Sequence, residues 1–250
     1  MAGPGRVLLP LPDADFDVTE VAVPWRLLTE AGHRVTFATE RGERPAPDQQ
    51  LLDGVLFGRL GAVPAAKQLF GQLARSTEFD RPAPWGDVVA DDCDGLLLPG
   101  GHAPGMRQYL GNTVLQRLVA DFWATGRPVG AICHGVLVLA RTLDPATGRS
   151  VLHDRRTTCL PKYMERSAYW LTGWRLGRYY RTYPAYVEDE VRGALDDPGR
   201  QFVRGPVGLS RRGTATDDRR AFAVVDGRYV SARWPGDAYL FARRFIDQLG

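Results

Sequence analysis

Lysine is almost missing from this 250-residue chain: of 32 basic residues only Lys67 and Lys162 are lysine, and the other 30 are arginine. Such a bias arises from coding composition as readily as from function, so it excludes nothing by itself. An excess of one charge is missing too. The basic residues face 29 acidic ones, a formal net charge of +3, which leaves no whole-protein field to attract nucleic acid or a membrane surface. Cysteine is scarce: Cys93, Cys133 and Cys159 are an odd number without CxxC spacing, which argues against a disulfide framework and against a zinc site. No apolar run approaches the roughly 18 residues of a membrane span. Met1-Ala2-Gly3-Pro4-Gly5-Arg6 enters the first strand without the charged and apolar regions of a signal peptide. The expectation is a soluble, cytoplasmic protein. Internal repeats and low-complexity segments are absent as well.

What is present is enough apolar residue, 44%, to bury a full core. The chain reads as a single domain over 1–250 with a cap inserted at about 42–92. Its centre is Ala131-Ile132-Cys133-His134-Gly135. Upstream, Arg127 to Ile132 reads as a short buried strand; downstream, Val136 to Arg141 is an apolar run that opens a helix. A cysteine on the turn between them has its side chain over the carboxyl edge of a parallel sheet with helix amides behind it, an arrangement expected to favour thiolate. The pattern resembles the Gly-x-Ser-x-Gly nucleophile elbow, with Cys in place of Ser and without the first Gly.

The rest of the chain alternates strand and helix. Val7 to Leu11 predicts a first strand, Thr19 to Ala31 a helix stopped by Gly32 with Pro24 in its first turns, and Arg34 to Ala38 a second strand, a βαβ unit. Pro45, Pro47, Pro64, Pro82 and Pro84 punctuate the proposed cap, which carries two amphipathic stretches near 49–60 and 65–75. The sheet resumes at Gly95 to Pro99, and a helix from about Thr113 to Thr125 leads back to the Cys133 strand. Beyond the elbow come a polar hairpin-like segment, Asp144 to Arg156, and an aromatic stretch from Tyr169 to Tyr186, read as helical packing or as the wall of a pocket. Strands at Ala221 to Val225 and Tyr229 to Ala232, joined by Asp226-Gly227, and a helix from Pro235 to Leu249 close the chain. Arg211-Arg212 with Arg219-Arg220 reads as a solvated loop. The architecture implied is an α/β, flavodoxin-like parallel sheet with helices on both faces.

Parallel α/β sheets place sites at the carboxyl ends of strands. Three segments meet there: the loop before Glu20, the Pro99-Gly100-Gly101 loop and the elbow. Amides of Gly100, Gly101 and His134 are candidates for an oxyanion hole. A carboxyl at Glu20, partly buried beside a thiol, would have its pKa raised and serve as general acid or base.

Leu96-Leu97-Leu98-Pro99-Gly100-Gly101-His102, the elbow, and Glu20 four residues before Pro24 together resemble the PfpI superfamily of class I glutamine amidotransferase-like proteins, closest to its glyoxalase III, chaperone-like branch. The resemblance implies Cys133 as nucleophile, His134 as its histidine and Glu20 as the carboxyl at the thiol. It implies a further acid about thirty residues past the cysteine, where Glu165 stands, with Glu188, Asp189 and Glu190 as alternatives. It further implies a homodimer and a cofactor-free, glutathione-independent reaction on a 2-oxoaldehyde. A true glutamine amidotransferase would carry His-x-Glu well downstream of the cysteine, and the last histidine here is His153. Two other readings stand beside this one: a tailoring enzyme acting on a larger aromatic compound at the same cysteine, and a holding chaperone or cysteine oxidation sensor. A peptidase ranks last, since nothing resembles a peptide-length groove.

Overall fold

Residues 3–55, 61–181, 183–208 and 212–250 are described by a computed structural model. The chain opens with β1 (Arg6–Pro10), a short β2 (Ala14–Phe16), α1 (Val18–Glu30) and β3 (Arg34–Thr39). It continues through β4 (Ala46–Pro47), α2 (Gln49–Asp53), α3 (Pro64–Leu73), α4 (Thr77–Asp80) and β5 (Ala83–Pro84). Next come β6 (Gly95–Leu98), α5 (Met106–Gly111), α6 (Thr113–Ala124), β7 (Val129–Ile132) and α7 (Gly135–Arg141). The last third holds α8 (Lys162–Leu176), α9 (Val187–Gly193), α10 (Pro198–Gln201), β8 (Ala223–Asp226), β9 (Tyr229–Ala232) and α11 (Ala238–Leu249).

The main sheet has the order β5-β3-β1-β6-β7-β9-β8. All its pairings are parallel except the terminal β8–β9 hairpin, whose turn places Gly227 at φ +59°. Strands covered on both faces need no polar alternation, and Val7, Leu8 and Leu9 are buried alike, as are Leu96, Leu97 and Leu98. From β1 the chain moves outward to β3, then returns to β6 on the other side of β1. Right-handed crossovers therefore put α1 and α6 on opposite faces. α11 packs with α1 on one face, and α7 packs with α6 on the other. Glycines let α11 approach the sheet: a Cβ at Gly95 would stand 2.9 Å from the Phe245 ring, and one at Gly130 3.0 Å from Phe241. The reversal of direction between β1 and β6 opens a crevice at their carboxyl ends, where this class of sheet binds ligands.

Three expectations change. The 42–92 segment is only partly a cap. β5 forms an edge strand on β3, where prolines cost no ladder bond, and the Trp85 indole N–H donates to Ala38 O at 3.0 Å. Phe79 also joins the core, its ring 5.4 Å from Phe37. What remains near the crevice is α2 and α3, and residues 56–60 of the predicted first amphipathic stretch lie outside the described residues. Pro24 lies inside α1, not in its first turn, and removes the helix bond that the Glu20 carbonyl would accept. The aromatic stretch is not core packing throughout: Trp170 and Trp174 on α8 are 67% and 70% exposed, because α8 buries only its Met164, Glu165 and Thr172 side. No helix among the described residues is long and apolar enough to cross a membrane.

Candidate functional site

Cys133 has φ +58°, one of two non-glycine residues with positive φ among the described residues. A left-handed backbone at a non-glycine residue costs of order 1 kcal/mol and persists only where its surroundings impose it. Here the imposition is visible. The Cys133 N–H is held by Ala232 O at 3.0 Å, and Gly135 sits so close to β6 that a Cβ would lie 2.1 Å from Leu98 O. The turn therefore has room for one geometry, with Cys133 at its apex.

The carboxyl arrives from α1. Asp17 caps that helix, its carboxylate accepting from Thr19 N at 2.7 Å and Glu20 N at 3.1 Å. The Asp17 N–H donates to Gly100 O at 2.8 Å, and the Gly100 N–H donates to Glu20 Oε2 at 2.8 Å. Gly100 is thus clamped from both sides, and a Cβ on it would meet His134 N at 2.7 Å. This corrects one expectation: the Gly100 amide is spent on Glu20 and does not point into an oxyanion hole. The His134 amide is directed at the Cys133 sulfur. At Gly101 the tightness is steric, since a Cβ would meet Asp15 O at 2.6 Å.

Glu20 is fully buried, and its Oε1 takes no hydrogen bond of good geometry. Burial, reinforced by Asp17, pushes the Glu20 carboxyl well above the ordinary carboxylate range. Burial also pushes the Cys133 thiol well up, and the neighbouring carboxyls Glu20 and Asp17 add to it against the smaller pull of the His134 amide. The expected thiolate-favouring effect of helix amides is therefore outweighed by desolvation, and Cys133 and Glu20 form a proton-holding pair. His134 Nδ1 lies 3.5 Å from Cys133 Sγ. Burial, with His102 and Arg141 nearby, holds that imidazole well below its ordinary pKa and hence neutral.

Glu165 does not come to His134. Its carboxylate accepts from Arg181 Nη1 at 3.0 Å and from Val187 N at 3.0 Å, fastening α8 to the start of α9. The alternatives are engaged elsewhere: Glu188 with Lys162 N and Arg204, Asp189 with Lys162 Nζ, and Glu190 with Arg141. The ring that does reach His134 is His102, edge to face at 4.5 Å between centroids. His102 sits in the Pro-Gly-Gly loop, and its place directly after the two glycines was the available signal. Donor atoms of His102, Cys133 and His134 lie within 4.8 Å of one another, a spacing at which a soft cation can be shared once the thiol loses its proton.

Above this cluster opens a cavity of about 510 Å³ with Asp17 and His102 on its floor. Leu51 and Val55 border it on one side, Met164, Trp170 and Leu171 of α8 on another, and Arg212 with Trp234 on a third. The loop reading of the arginine cluster holds for Arg219 and Arg220, which are exposed, and fails for Arg212, which is half-buried at the cavity; Arg211 lies outside the described residues. Tyr180 also borders the cavity; its hydroxyl donates to Asp48 Oδ2 at 3.1 Å, and that of Tyr179 donates to Oδ1 at 3.2 Å. Neither the Asp48 contact nor the Arg212 placement was legible from sequence spacing.

A flavodoxin-like sheet with a strained cysteine at the switch-point crevice defines a class of cysteine-elbow α/β proteins. The family model described as ThiJ/PfpI family-like matches residues 11–206, and the chain belongs to that family. A deglycase of Pyrococcus abyssi is 26% identical over 244 residues, spanning 98% of this chain and 99% of that protein. An uncharacterized protein of Schizosaccharomyces pombe is 28% identical over 243 residues, spanning 95% of this chain and 81% of the other. The crystal structure of glyoxalase III from Candida albicans shares the fold, with a TM-score of 0.71 at 20% identity over 98% of this chain and 97% of that one.

Proposed function

We propose that this chain is a cysteine-dependent enzyme that converts a 2-oxoaldehyde to a 2-hydroxy acid without glutathione or another cofactor. The observation that carries the reading is the buried trio at the elbow: a thiol, a neutral imidazole nitrogen 3.5 Å from it, and a carboxyl whose pKa is raised on its other side. Relatives named as deglycases, and a glutathione-independent glyoxalase of Schizosaccharomyces pombe that is 25% identical over 148 residues, support carbonyl chemistry at this position.

His134 Nδ1 takes the Cys133 proton as the sulfur adds to the aldehyde carbon, and the carbonyl oxygen is protonated to give a hemithioacetal. Glu20 then moves a proton from C1 to C2 through an enediol, leaving a thioester of the 2-hydroxy acid. Water cleaves the thioester and restores the thiol. The sequence consumes one water and no redox partner. A dry site raises the thiol pKa, so it keeps the cysteine protonated at rest and confines thiolate to the moment of attack.

The test is D-lactate formation from methylglyoxal without glutathione. Cys133→Ala is expected to abolish it and Glu20→Gln to lower kcat at least about 100-fold, the scale of general acid-base catalysis. Unchanged turnover in Cys133→Ala would remove the mechanism.

A second reading is favoured by the cavity. A three-carbon substrate fills little of about 510 Å³, and the walls offer Trp170, Trp234 and Met164. The same chemistry on a larger, aromatic carbonyl compound makes use of that space.

A further inference from the structure

Most buried or half-buried arginines in this fold are ion-paired. Arg233 binds Asp237, Arg141 binds Glu190, and Arg181 binds Glu165. Arg192, which packs on the Phe202 ring, is an exception. Arg212 also makes no ion pair and no hydrogen bond among the described residues, and unlike Arg192 it borders the cavity. It stacks on the Trp234 ring, 5.0 Å from the guanidinium carbon to the ring centroid. Stacking supplies a face but leaves the in-plane N–H donors without an acceptor.

The two carboxyls that feel Arg212, Asp17 and Glu20, make no hydrogen bond to it. Asp17 Oδ1 caps α1, and Glu20 Oε2 accepts from the Gly100 amide. Burial pushes both carboxyls up, against the smaller opposing pull of Arg212. Arginine itself stays cationic at any ordinary pH. A half-buried guanidinium that faces a cavity and makes no ion pair among the described residues is an arrangement in which a ligand's anionic group can complete the pairing.

Resting on the reading of the site given above, we propose that Arg212 is the anion-binding subsite of the cavity, and that the substrate is a carbonyl compound carrying a carboxylate on an apolar, preferably aromatic, body. The carboxylate pairs with Arg212, and the body lies along Trp234, Met164 and Trp170. The carbonyl is left at the floor, where His102 stands over Cys133. Arg212 acts electrostatically on both Asp17 and Glu20, which puts the anion subsite on the same side of the crevice as the reacting carboxyl.

The test separates binding from turnover by using the full-length Cys133→Ala protein and calorimetric titration with two probes, para-formylbenzoate and its uncharged methyl ester. The acid is expected to bind about tenfold or more tightly than the ester, the scale of a charge-assisted bidentate contact. Arg212→Met is expected to cost the acid about tenfold and the ester much less, with Arg212→Lys recovering part of the loss. Equal affinity for acid and ester, no binding of the acid, or an Arg212→Met loss that is the same for both probes would overturn the inference. If Arg212→Met does not fold, the acid-to-ester ratio and the Arg212→Lys protein decide it. Because no turnover is needed, an Arg212-dependent acid preference stands even where wild type makes no lactate from methylglyoxal. Lactate formation with no acid preference leaves the enzyme reading intact and removes this one.

Discussion

The Gly100 N–H donates to Glu20 Oε2 at 2.8 Å, tying the loop after β6 to the carboxyl that α1 delivers. That single bond sets where the second oxygen of Glu20 lies relative to Cys133, and it uses an amide that a side chain on residue 100 would displace.

Gly100→Ala should therefore damage activity more than stability. The added Cβ meets Glu20 Oε2 at 2.9 Å and Ile132 O at 3.0 Å, so the carboxyl must shift. The expected result is a loss of at least about tenfold in kcat/KM with about 1–3 kcal/mol of destabilisation, the ordinary scale of overpacking. Activity assays and urea denaturation on the same preparation check it. An unaltered kcat/KM would mean that the position of Glu20 does not matter to the reaction.

Alkylation of Cys133 reads the electrostatics directly. With its thiol pushed up by burial and by Glu20, wild type should react slowly with iodoacetamide at neutral pH and accelerate only in alkaline solution. Glu20→Gln removes the carboxyl charge beside the thiol and should move the midpoint of the rate profile to lower pH. Mass spectrometry distinguishes Cys133 from Cys93 and Cys159, which are buried too. A midpoint that moves up in Glu20→Gln would contradict the assignment.

Asp48 predicts a pH dependence of stability. Burial raises its pKa from 3.8 to about 6, partly offset by the hydrogen bonds from Gln50 N and the two tyrosines. The folded protein holds this proton more tightly than the unfolded chain. Its contribution is thus fully present below the unfolded pKa and is lost as pH rises through about 6. Asp48→Asn should gain stability relative to wild type by roughly 1–3 kcal/mol between about pH 4 and about pH 7, measured by denaturant unfolding at several pH values. A difference that stays constant with pH would show that Asp48 titrates normally.

Glu165→Gln separates a fastening role from a catalytic one. Its carboxylate pairs with Arg181 and accepts from Val187 N, so neutralising it should lower the melting temperature and cost about 3 kcal/mol, the lower end for breaking a largely buried pair. The effect on kcat is expected to be under about tenfold, well short of the 100-fold or more of a lost proton-transfer group. A kcat loss of that larger size in a stable protein would return Glu165 to the reaction.

The strands and the elbow that carries Cys133 and His134 were legible in the sequence because each is local or follows from the parallel-sheet rule, whereas Glu20 was singled out by the family resemblance. Strand, turn and helix around Cys133 occupy a dozen consecutive residues, and the rule alone carries the ends of β1, β6 and β7 to one edge. The sequence by itself thus determined the fold class and the sharp turn at Cys133. Tertiary structure decided everything that depends on which side chain gets a shared partner. Glu165 went to Arg181 and not to His134, because the chain between α8 and α9 folds back sixteen residues on. The Gly100 amide went to Glu20, Trp85 and β5 joined the sheet edge, and His102 came to rest against His134. The thiol pKa was decided the same way: a helix terminus is a local feature that spacing predicts, whereas desolvation is the sum of every element packed around Cys133 and exists only once the chain has closed over it.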